Sequence, residues 1–278
     1  MKTEEPEFGI SDSEFERISA LVYRESGMRL NEHKKALVVS RLGRRLRALG
    51  LVSFEEYYER YLIRDKDGER LEMLDLISTN KTGFFREPGH FDFLKNRILP
   101  DLVRSKQIFV WSAGCSSGEE PYSIAMTLLD NAENPGKWDF NILASDLSSR
   151  VLAAAEAGIY DRSQIIEEID SSRLNSHFLE GKGANRGKMK IKNNLRNIIL
   201  FKRINLMDAS YPVRFPLDLI FCRNVMIYFD RSTQEQLVGK LFRFLKPGGY
   251  LFIGHSETLQ WIHHAYEYVA PTIYRKPG

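Results

Sequence analysis

Cysteine is nearly absent from this 278-residue chain, which has two, Cys115 and Cys222. Two cannot supply a disulfide framework, and such sparing use points to a reducing compartment. No apolar run approaches the roughly 18 residues a bilayer-crossing helix needs, so no integral membrane segment is expected. The first residues lack the basic character of a signal or transit peptide; Glu4, Glu5, Glu7, Asp12, Glu14 and Glu16 make them acidic. An excess of one charge is also missing. Forty Lys and Arg face 37 Asp and Glu, a net +3, too little by itself to imply a nucleic-acid partner. Internal repeats and low-complexity tracts are not found. Hydrophobic residues at 43% and charged residues at 28% exclude disordered, collagenous and coiled-coil classes. What remains is a globular chain, expected to be cytoplasmic and long enough for two compact domains or one large one.

The first eighty-odd residues read as helices. Ser11-x-x-Glu14 is a capping box, in which each side chain satisfies a backbone N–H at the helix start. Phe15, Ile18, Leu21 and Val22 then share one face, and Gly27 supplies a left-handed stop. A second helix is predicted from about Asn31 to Leu49, with Leu42, Leu46 and Leu49 inward and Gly50 ending it. Ser53-x-x-Glu56 repeats the capping signal before Phe54–Leu62. A further helix is predicted over Glu69–Ile77, and Pro88 suits the first turn of one ending near Pro100.

Beyond this point short apolar runs alternate with helical stretches. Strands are predicted at Ile108–Trp111, Asn141–Ala144, Leu217–Phe221 and Tyr250–Gly254. Helices are predicted at Pro121–Leu129, Val151–Ala157 and about Gln234–Leu245. The alternation points to an α/β, doubly wound, mainly parallel sheet, which binds ligands at the carboxyl ends of its strands. From Gly181 to Met207 there are eight Lys/Arg and no acid. Inside that interval Lys188-Met189-Lys190-Ile191-Lys192 alternates with period two, as a strand with one wet face does. It is read as a hairpin inserted into the sheet domain.

The chemistry is expected between Val110 and Pro121, where a strand, a small-residue loop and a helix start follow one another: Val-Trp-Ser-Ala-Gly-Cys-Ser-Ser-Gly-Glu-Glu-Pro. Small residues let backbone approach a ligand closely. Glu119 and Glu120 at the helix entrance suit a cationic or hydroxyl-rich ligand better than a phosphate. The loop is neither Gly-x-Gly-x-x-Gly nor a phosphate-binding loop ending in Lys-Ser/Thr. Asp146, at the end of the next strand, sits where a carboxylate can accept two ribose hydroxyls. On these features alone a nucleoside pocket and a helix-capping loop with an unrelated capping Asp remain alternatives. His255-Ser256-Glu257 holds hydrolase residue types, but strand neighbours point apart and no Gly-x-Ser-x-Gly elbow is present, so a structural or pocket-rim role is expected. His263 and His264 are adjacent and lack further Cys/His spacing; no metal is expected.

Taken together, Asn80-Lys-Thr82-Gly-Phe-Phe-Arg86, the Trp111-Ser-Ala-Gly-Cys-Ser-Ser-Gly-Glu-Glu-Pro-Tyr-Ser string, Phe221-Cys-Arg-Asn-Val-Met-Ile-Tyr-Phe-Asp230 and Leu245-Lys-Pro-Gly-Gly-Tyr-Leu-Phe-Ile-Gly-His-Ser-Glu257 resemble the CheR-type chemotaxis receptor methyltransferases over nearly the whole chain. The resemblance implies an all-α N-terminal domain with its linker (1–86). It also implies a Rossmann-like S-adenosylmethionine methyltransferase domain (87–278) with a small antiparallel β insert at about 178–200. It implies a protein-glutamate O-methyltransferase that yields glutamate methyl esters and S-adenosylhomocysteine. Position by position, it puts Asn80, Thr82 and Arg86 at the cofactor, Glu120 at its methionine part and Asp146 at the ribose. Asn205 and Leu206 would flank the adenine, with Arg223 and Asn224 completing the pocket. Arg86 and Tyr228 would orient the reacting carboxylate. One local departure is Gly114-Cys115, where alanine-like residues are more usual.

The implied chemistry is physically undemanding. A glutamate side chain, which ordinarily titrates at about pH 4.3, is already ionised at neutral pH and needs no general base. The protein has to align oxygen, methyl and sulfur and to exclude water. The expected partner is the cytoplasmic domain of a chemoreceptor, docked on the basic helix 33–49, where Lys34, Lys35, Arg41, Arg44, Arg45 and Arg47 crowd together. A receptor C-terminal peptide is a further candidate, pairing with the 181–192 hairpin by strand addition. The bland alternatives are a solvated helix face and lysines guarding a sheet edge. A nucleic-acid methyltransferase is disfavoured by the near-neutral charge and by the lack of an Asn-Pro-Pro-Tyr-like motif. A non-catalytic binding module is disfavoured by Arg86, Asp146 and Tyr228.

Overall fold

The computed structural model describes residues 8–102, 107–132, 138–213 and 216–278; Glu4, Glu5 and Glu7 lie outside them. The chain divides into two compact units. One runs to Thr79 and includes Tyr228–Asp230; the other comprises Asn80–Ile227 and Arg231–Gly278.

The first unit is helical: α1 (Asp12–Ser26), α2 (Lys35–Ala48), α3 (Phe54–Tyr57) and α4 (Glu69–Ile77). Both halves of the Ser11–Glu14 capping box form, and Gly27 ends α1 at φ 72°. A 3₁₀ turn, Glu32–Lys34, leads into α2, whose Val38, Leu42 and Leu46 are fully buried; Leu49 is half-buried. Half of the second capping box forms. Ser53 accepts the Glu56 N–H, but the Glu56 carboxylate takes the Val52 N–H instead. Tyr228–Asp230 belongs here because the Arg29 N–H donates to the Tyr228 carbonyl (2.8 Å) and the Tyr23 hydroxyl to Asp230 (2.8 Å).

The basic run on α2 is split by its packing. Arg41 donates to the carbonyls of Leu76, Ile77 and Ser78, the last carbonyls of α4 that no helical N–H can reach. Arg45 makes a bidentate pair with Glu69 (2.9 and 2.6 Å), and Tyr57 donates its hydroxyl to the same carboxylate (2.7 Å). Lys35 pairs with Asp12. Lys34 and Arg44 stay exposed.

In the second unit the strands are, in chain order, β1 (Gln107–Ala113), β2 (Asp139–Asp146), β3 (Ile159–Asp161), β4 (Phe178–Glu180), β5 (Lys188–Ile191), β6 (Ile199–Arg203), β7 (Leu217–Cys222), β8 (Leu245–Ile253), β9 (Glu267–Ala270) and β10 (Ile273–Arg275). Its helices are α5 (Gly89–Phe93), α6 (Leu99–Leu102), α7 (Glu119–Asn131), α8 (Ser149–Ala157), α9 (Arg162–Ile165), α10 (Ser171–His177), α11 (Asn193–Arg196) and α12 (Arg231–Phe244). The main sheet has the order β6-β2-β1-β7-β8-β10-β9. Its first five strands are parallel, and β10 and β9 close one side antiparallel. All six residues of β7 are buried, as befits a central strand covered on both faces. The chain leaves β1 toward β2 and β6, then returns to place β7 on the opposite flank of β1. That reversal opens the ligand crevice outside the carboxyl ends of β1 and β7. The expected doubly wound sheet is observed. Four strands escape sequence reading: β6, hidden in the basic interval, the short pair β9 and β10, and β3, which precedes the expected 178–200 insert.

The insert is a separate antiparallel sheet of order β3-β5-β4. Met189 and Ile191 are buried and Lys188 and Lys190 exposed, as the alternation predicted. The expectation that this strand is an open edge is corrected: β5 is central, paired to β3 on one side and β4 on the other. Ile199 and Leu200, expected in the insert, belong to the main sheet as part of β6. Phe84 packs edge-on against Tyr160 of β3 (centroids 4.9 Å) and Phe178 of β4 (5.8 Å).

Glu69 is 2% exposed and neutralises Arg45 while accepting from Tyr57. Glu69→Ala is expected to lower stability by about 3 kcal/mol, because it strands a partly buried cation and a buried hydroxyl. Lys34→Glu and Arg44→Glu should stay within about 0.5 kcal/mol of the parent. Urea unfolding followed by circular dichroism measures both.

Candidate functional site

The β1–α7 loop turns on two left-handed glycines, Gly114 (φ 90°) and Gly118 (φ 98°). A Cβ at Gly114 would lie 2.4 Å from a Val225 methyl, and one at Gly118 2.9 Å from the Ala155 Cβ, so neither site tolerates a side chain. The N–H groups of Gly114 and Cys115 both donate to the Ser145 carbonyl (2.8 Å), which fastens this loop to the end of β2. There Asp146 accepts the N–H of Ser116 (2.9 Å) and of Ser148 (3.0 Å). The Ser116 hydroxyl donates to the Asn80 carbonyl (3.0 Å), which brings the 80–87 segment to the same loop.

That segment is held at several points. The Phe84 N–H donates to Glu168 (2.8 Å) and the Phe85 N–H to the Ser123 hydroxyl (2.9 Å). Phe85 (φ 51°) and Glu87 (φ 60°) flank Arg86 in the left-handed region, a conformation costly for side-chain-bearing residues and kept only where surroundings impose it. Arg86 is exposed and donates to the Lys81 carbonyl (2.9 Å). Thr82 is half-buried.

Arg223, 6% exposed, leaves the end of β7 and is shared by two acids. It bonds Glu87 (2.9 and 3.3 Å) and Glu120 (3.2 Å) and donates to the Arg86 carbonyl. Glu120 also accepts the Ser112 hydroxyl (2.6 Å). Burial pushes its carboxyl above the ordinary range, with Arg223 and Ser112 pulling the other way. Glu87 ends on the other side of its usual value: burial raises it, but the His255 N–H, Arg223 and the Asn224 amide outweigh that and hold it low.

Asn224 has φ 58°, and the turn it begins is organised by Glu257. One buried carboxylate accepts the N–H groups of Asn224 (2.9 Å), Met226 (2.7 Å), Ile227 (3.3 Å) and Gly254 (2.5 Å). On the far side, Ile204 donates its N–H to the Asp146 carbonyl (3.1 Å) and carries Asn205 and Leu206 past that strand end. Asn205 caps the Met207 N–H (3.0 Å). The Leu206 carbonyl takes the Tyr211 hydroxyl (2.5 Å) and Lys240 (3.2 Å).

Asp146 at the end of β2, Glu120 in the first turn of α7, and Asn205, Leu206, Arg223 and Asn224 on the following loops thus gather at the carboxyl end of one sheet, linked to the segment carrying Asn80, Thr82 and Arg86. Tyr228 belongs to the helical unit, where its hydroxyl donates to the Thr79 carbonyl (3.3 Å). Cys115 and Cys222 are buried and burial pushes both thiols up, which fits small fillers rather than nucleophiles. Sequence reading missed Glu87 and Glu168. Glu87 stands inside the Arg86-Glu87-Pro88 string, yet no spacing rule pairs it with a residue 136 positions away.

The family model described as "CheR methyltransferase, SAM binding domain" matches residues 80–274, and "CheR methyltransferase, all-alpha domain" matches residues 13–78. The chain is 40% identical over 266 residues to the chemotaxis protein methyltransferase of Escherichia coli K12, covering 95% of this chain and 91% of that one. It is 42% identical to the chemotaxis protein methyltransferase of Borreliella burgdorferi, covering 96% and 95%. To chemotaxis protein methyltransferase 2 of Pseudomonas aeruginosa it is 40% identical, covering 96% and 94%. Both family domains being present in order over nearly the full length, the chain belongs to the CheR methyltransferases, enzymes that use S-adenosylmethionine.

Proposed function

We propose that this protein methylates glutamate side chains on the cytoplasmic helices of chemoreceptors, giving glutamate methyl esters and S-adenosylhomocysteine in chemotaxis adaptation. The observation that carries this reading is the 40% identity to a chemotaxis protein methyltransferase across 95% of the chain. The donor set supports it. The cofactor has a cationic sulfonium and ammonium, a carboxylate and a ribose diol. The strand ends offer the acids Asp146 and Glu120, one buried arginine and a glycine loop without a phosphate-binding lysine. In this assignment Asp146 accepts from the ribose hydroxyls and Glu120 faces the methionine part. Asn205 and Leu206 flank the adenine, and Asn80, Thr82, Arg223 and Asn224 complete the pocket.

S-adenosylmethionine, when bound, supplies a methyl group on a positively charged sulfur. The substrate glutamate arrives ionised, so the chain has no proton to remove. Arg86 orients that carboxylate without a rigid ion pair of its own, and Tyr228 contributes a hydrogen-bond donor. Holding oxygen and methyl in line accounts for most of the acceleration such a site can supply. On this reading the reaction takes place in the cytoplasm, where the receptor helices that carry the target glutamates lie. Among the described residues no helix is long and apolar enough to cross a membrane.

For receptor docking, Lys34 in the turn before α2 and Arg44 on α2 are offered, because Arg41 and Arg45 are committed within the helical unit. Strand addition by a receptor C-terminal peptide falls to the outer strands of the small sheet, β3 and β4, and no longer to β5.

Incubating the chain with methyl-labelled cofactor and a receptor cytoplasmic fragment should leave label that mild alkali releases as methanol. N-methyl products would release none, and a pure binding module would transfer none. Asp146→Ala should raise KM for the cofactor by about tenfold to a hundredfold, the worth of hydrogen bonds to a charged acceptor. Arg86→Ala should lower kcat by about a hundredfold through lost alignment. The double variant Lys34→Glu/Arg44→Glu should slow methylation at low ionic strength, with the difference shrinking toward 1 M salt, where charges are screened within about 3 Å. Unchanged low-salt rates would exclude electrostatic docking on α2.

A further inference from the structure

Behind Arg223 lies a group of three potential ligands that the methyl-transfer reading does not use. His90, at the start of α5, is 1% exposed. Its Nε2 lies 2.7 Å from the Thr272 hydroxyl oxygen. The same hydroxyl lies 2.6 Å from the Pro271 carbonyl, so its single proton goes to that carbonyl or to Nε2, and the His90 tautomer follows from which. Nδ1 is buried without a hydrogen-bond partner, and a Glu87 carboxylate oxygen lies 3.7 Å away. A buried nitrogen and a carboxylate oxygen thus face each other beyond hydrogen-bond reach, a gap that a shared cation closes.

His255 supplies the third ligand. Its ring stands edge-on to that of His90, centroids 5.3 Å apart, and its backbone N–H already bonds Glu87 (3.1 Å). The ligand atoms of Glu87, His90 and His255 all lie within 4.8 Å of one another. We propose that these three side chains form a binding site for one divalent transition-metal ion of the zinc type. Two imidazoles and a carboxylate are a zinc-type set, with three protein ligands and a fourth position open. Zn–N and Zn–O distances of about 2.0–2.2 Å require the ligand atoms to close to about 3.4 Å, a contraction that the exposed His255 side chain makes by rotating. The Thr272 hydroxyl is the outer partner that fixes the His90 tautomer and ring, as such partners do for metal-bound histidines. Arg223 is the competing cation, because it bonds the Glu87 oxygen that faces His90. Metal and guanidinium therefore draw on one carboxylate, and Arg223 keeps Glu120 when the metal takes Glu87. Glu87 and His90 stand three residues apart and His255 comes from a distant stretch of chain, so no Cys/His spacing signals the set.

Titrating the tag-free, full-length chain with Zn2+ alone, followed by calorimetry, is expected to show one equivalent bound. His255→Ala should weaken that binding by about tenfold or more, in line with losses from metal-site substitutions. In the unaltered chain, Zn2+ should shift the nitrogen resonance of His90 Nδ1, and Co2+ should give the visible bands of a low-coordinate site. Equal zinc affinity in the parent and His255→Ala, or a His90 Nδ1 resonance that saturating zinc leaves in place, would overturn the assignment. None of these readouts depends on methyl transfer, so their failure and the failure of the enzymatic reading are separable.

Discussion

One guanidinium holds the site together. Arg223 is buried between two carboxylates that would otherwise repel each other, and it anchors the Arg86 carbonyl as well. A buried charge is tolerated only when paired and hydrogen-bonded, and removing one member of such a group strands the others at a cost of about 3–5 kcal/mol. Here two acids share one cation, so they cannot be equivalent. Burial drives Glu120 toward its neutral form, whereas Glu87, with backbone and amide donors of its own, stays ionised. The two carboxylates thereby divide the field of the arginine, and the segment that carries Arg86 is tied to the end of β7.

The loops around this centre are fastened by side chains acting as backbone caps. Glu257 gathers four N–H groups and so fixes the turn after Arg223. Lys240 reaches from α12 to the carbonyls of Leu206, Met207 and Asp208, closing a turn that lacks regular structure of its own. Orphan backbone groups near a ligand crevice are satisfied by remote residues, which leaves the crevice rigid without covering it with helix or strand.

Local signals are the legible part of the fold. The Ser11–Glu14 box, the Gly27 stop and the β1–α7 loop all act within a few residues, and each appears where its chemistry predicts. Period-two alternation in β5 correctly tells which lysines face water, but alternation carries no information about neighbouring strands, so a central strand reads as an edge. Ile199–Arg203 goes unread as a strand of the main sheet because its apolar run sits inside the basic interval assigned to the insert. The basic helix α2 shows the same limit in charge: six like-charged residues read as one face, though Arg41 and Arg45 find partners 24 to 37 positions away. At the site, Asp146 and Glu120 are legible from their place at strand and helix ends. Glu87 is not, since its partners are brought to it only by the sheet order.

The small three-stranded sheet is not a detachable ornament. Tyr160 and Phe178 clasp Phe84, and Glu168 from the same stretch of chain takes the Phe84 N–H. Phe84 lies between Thr82 and Arg86, so excising the insert would cut away the wall against which the Asn80–Arg86 segment is braced. An engineer swapping this sheet between relatives must carry the socket and its plug together.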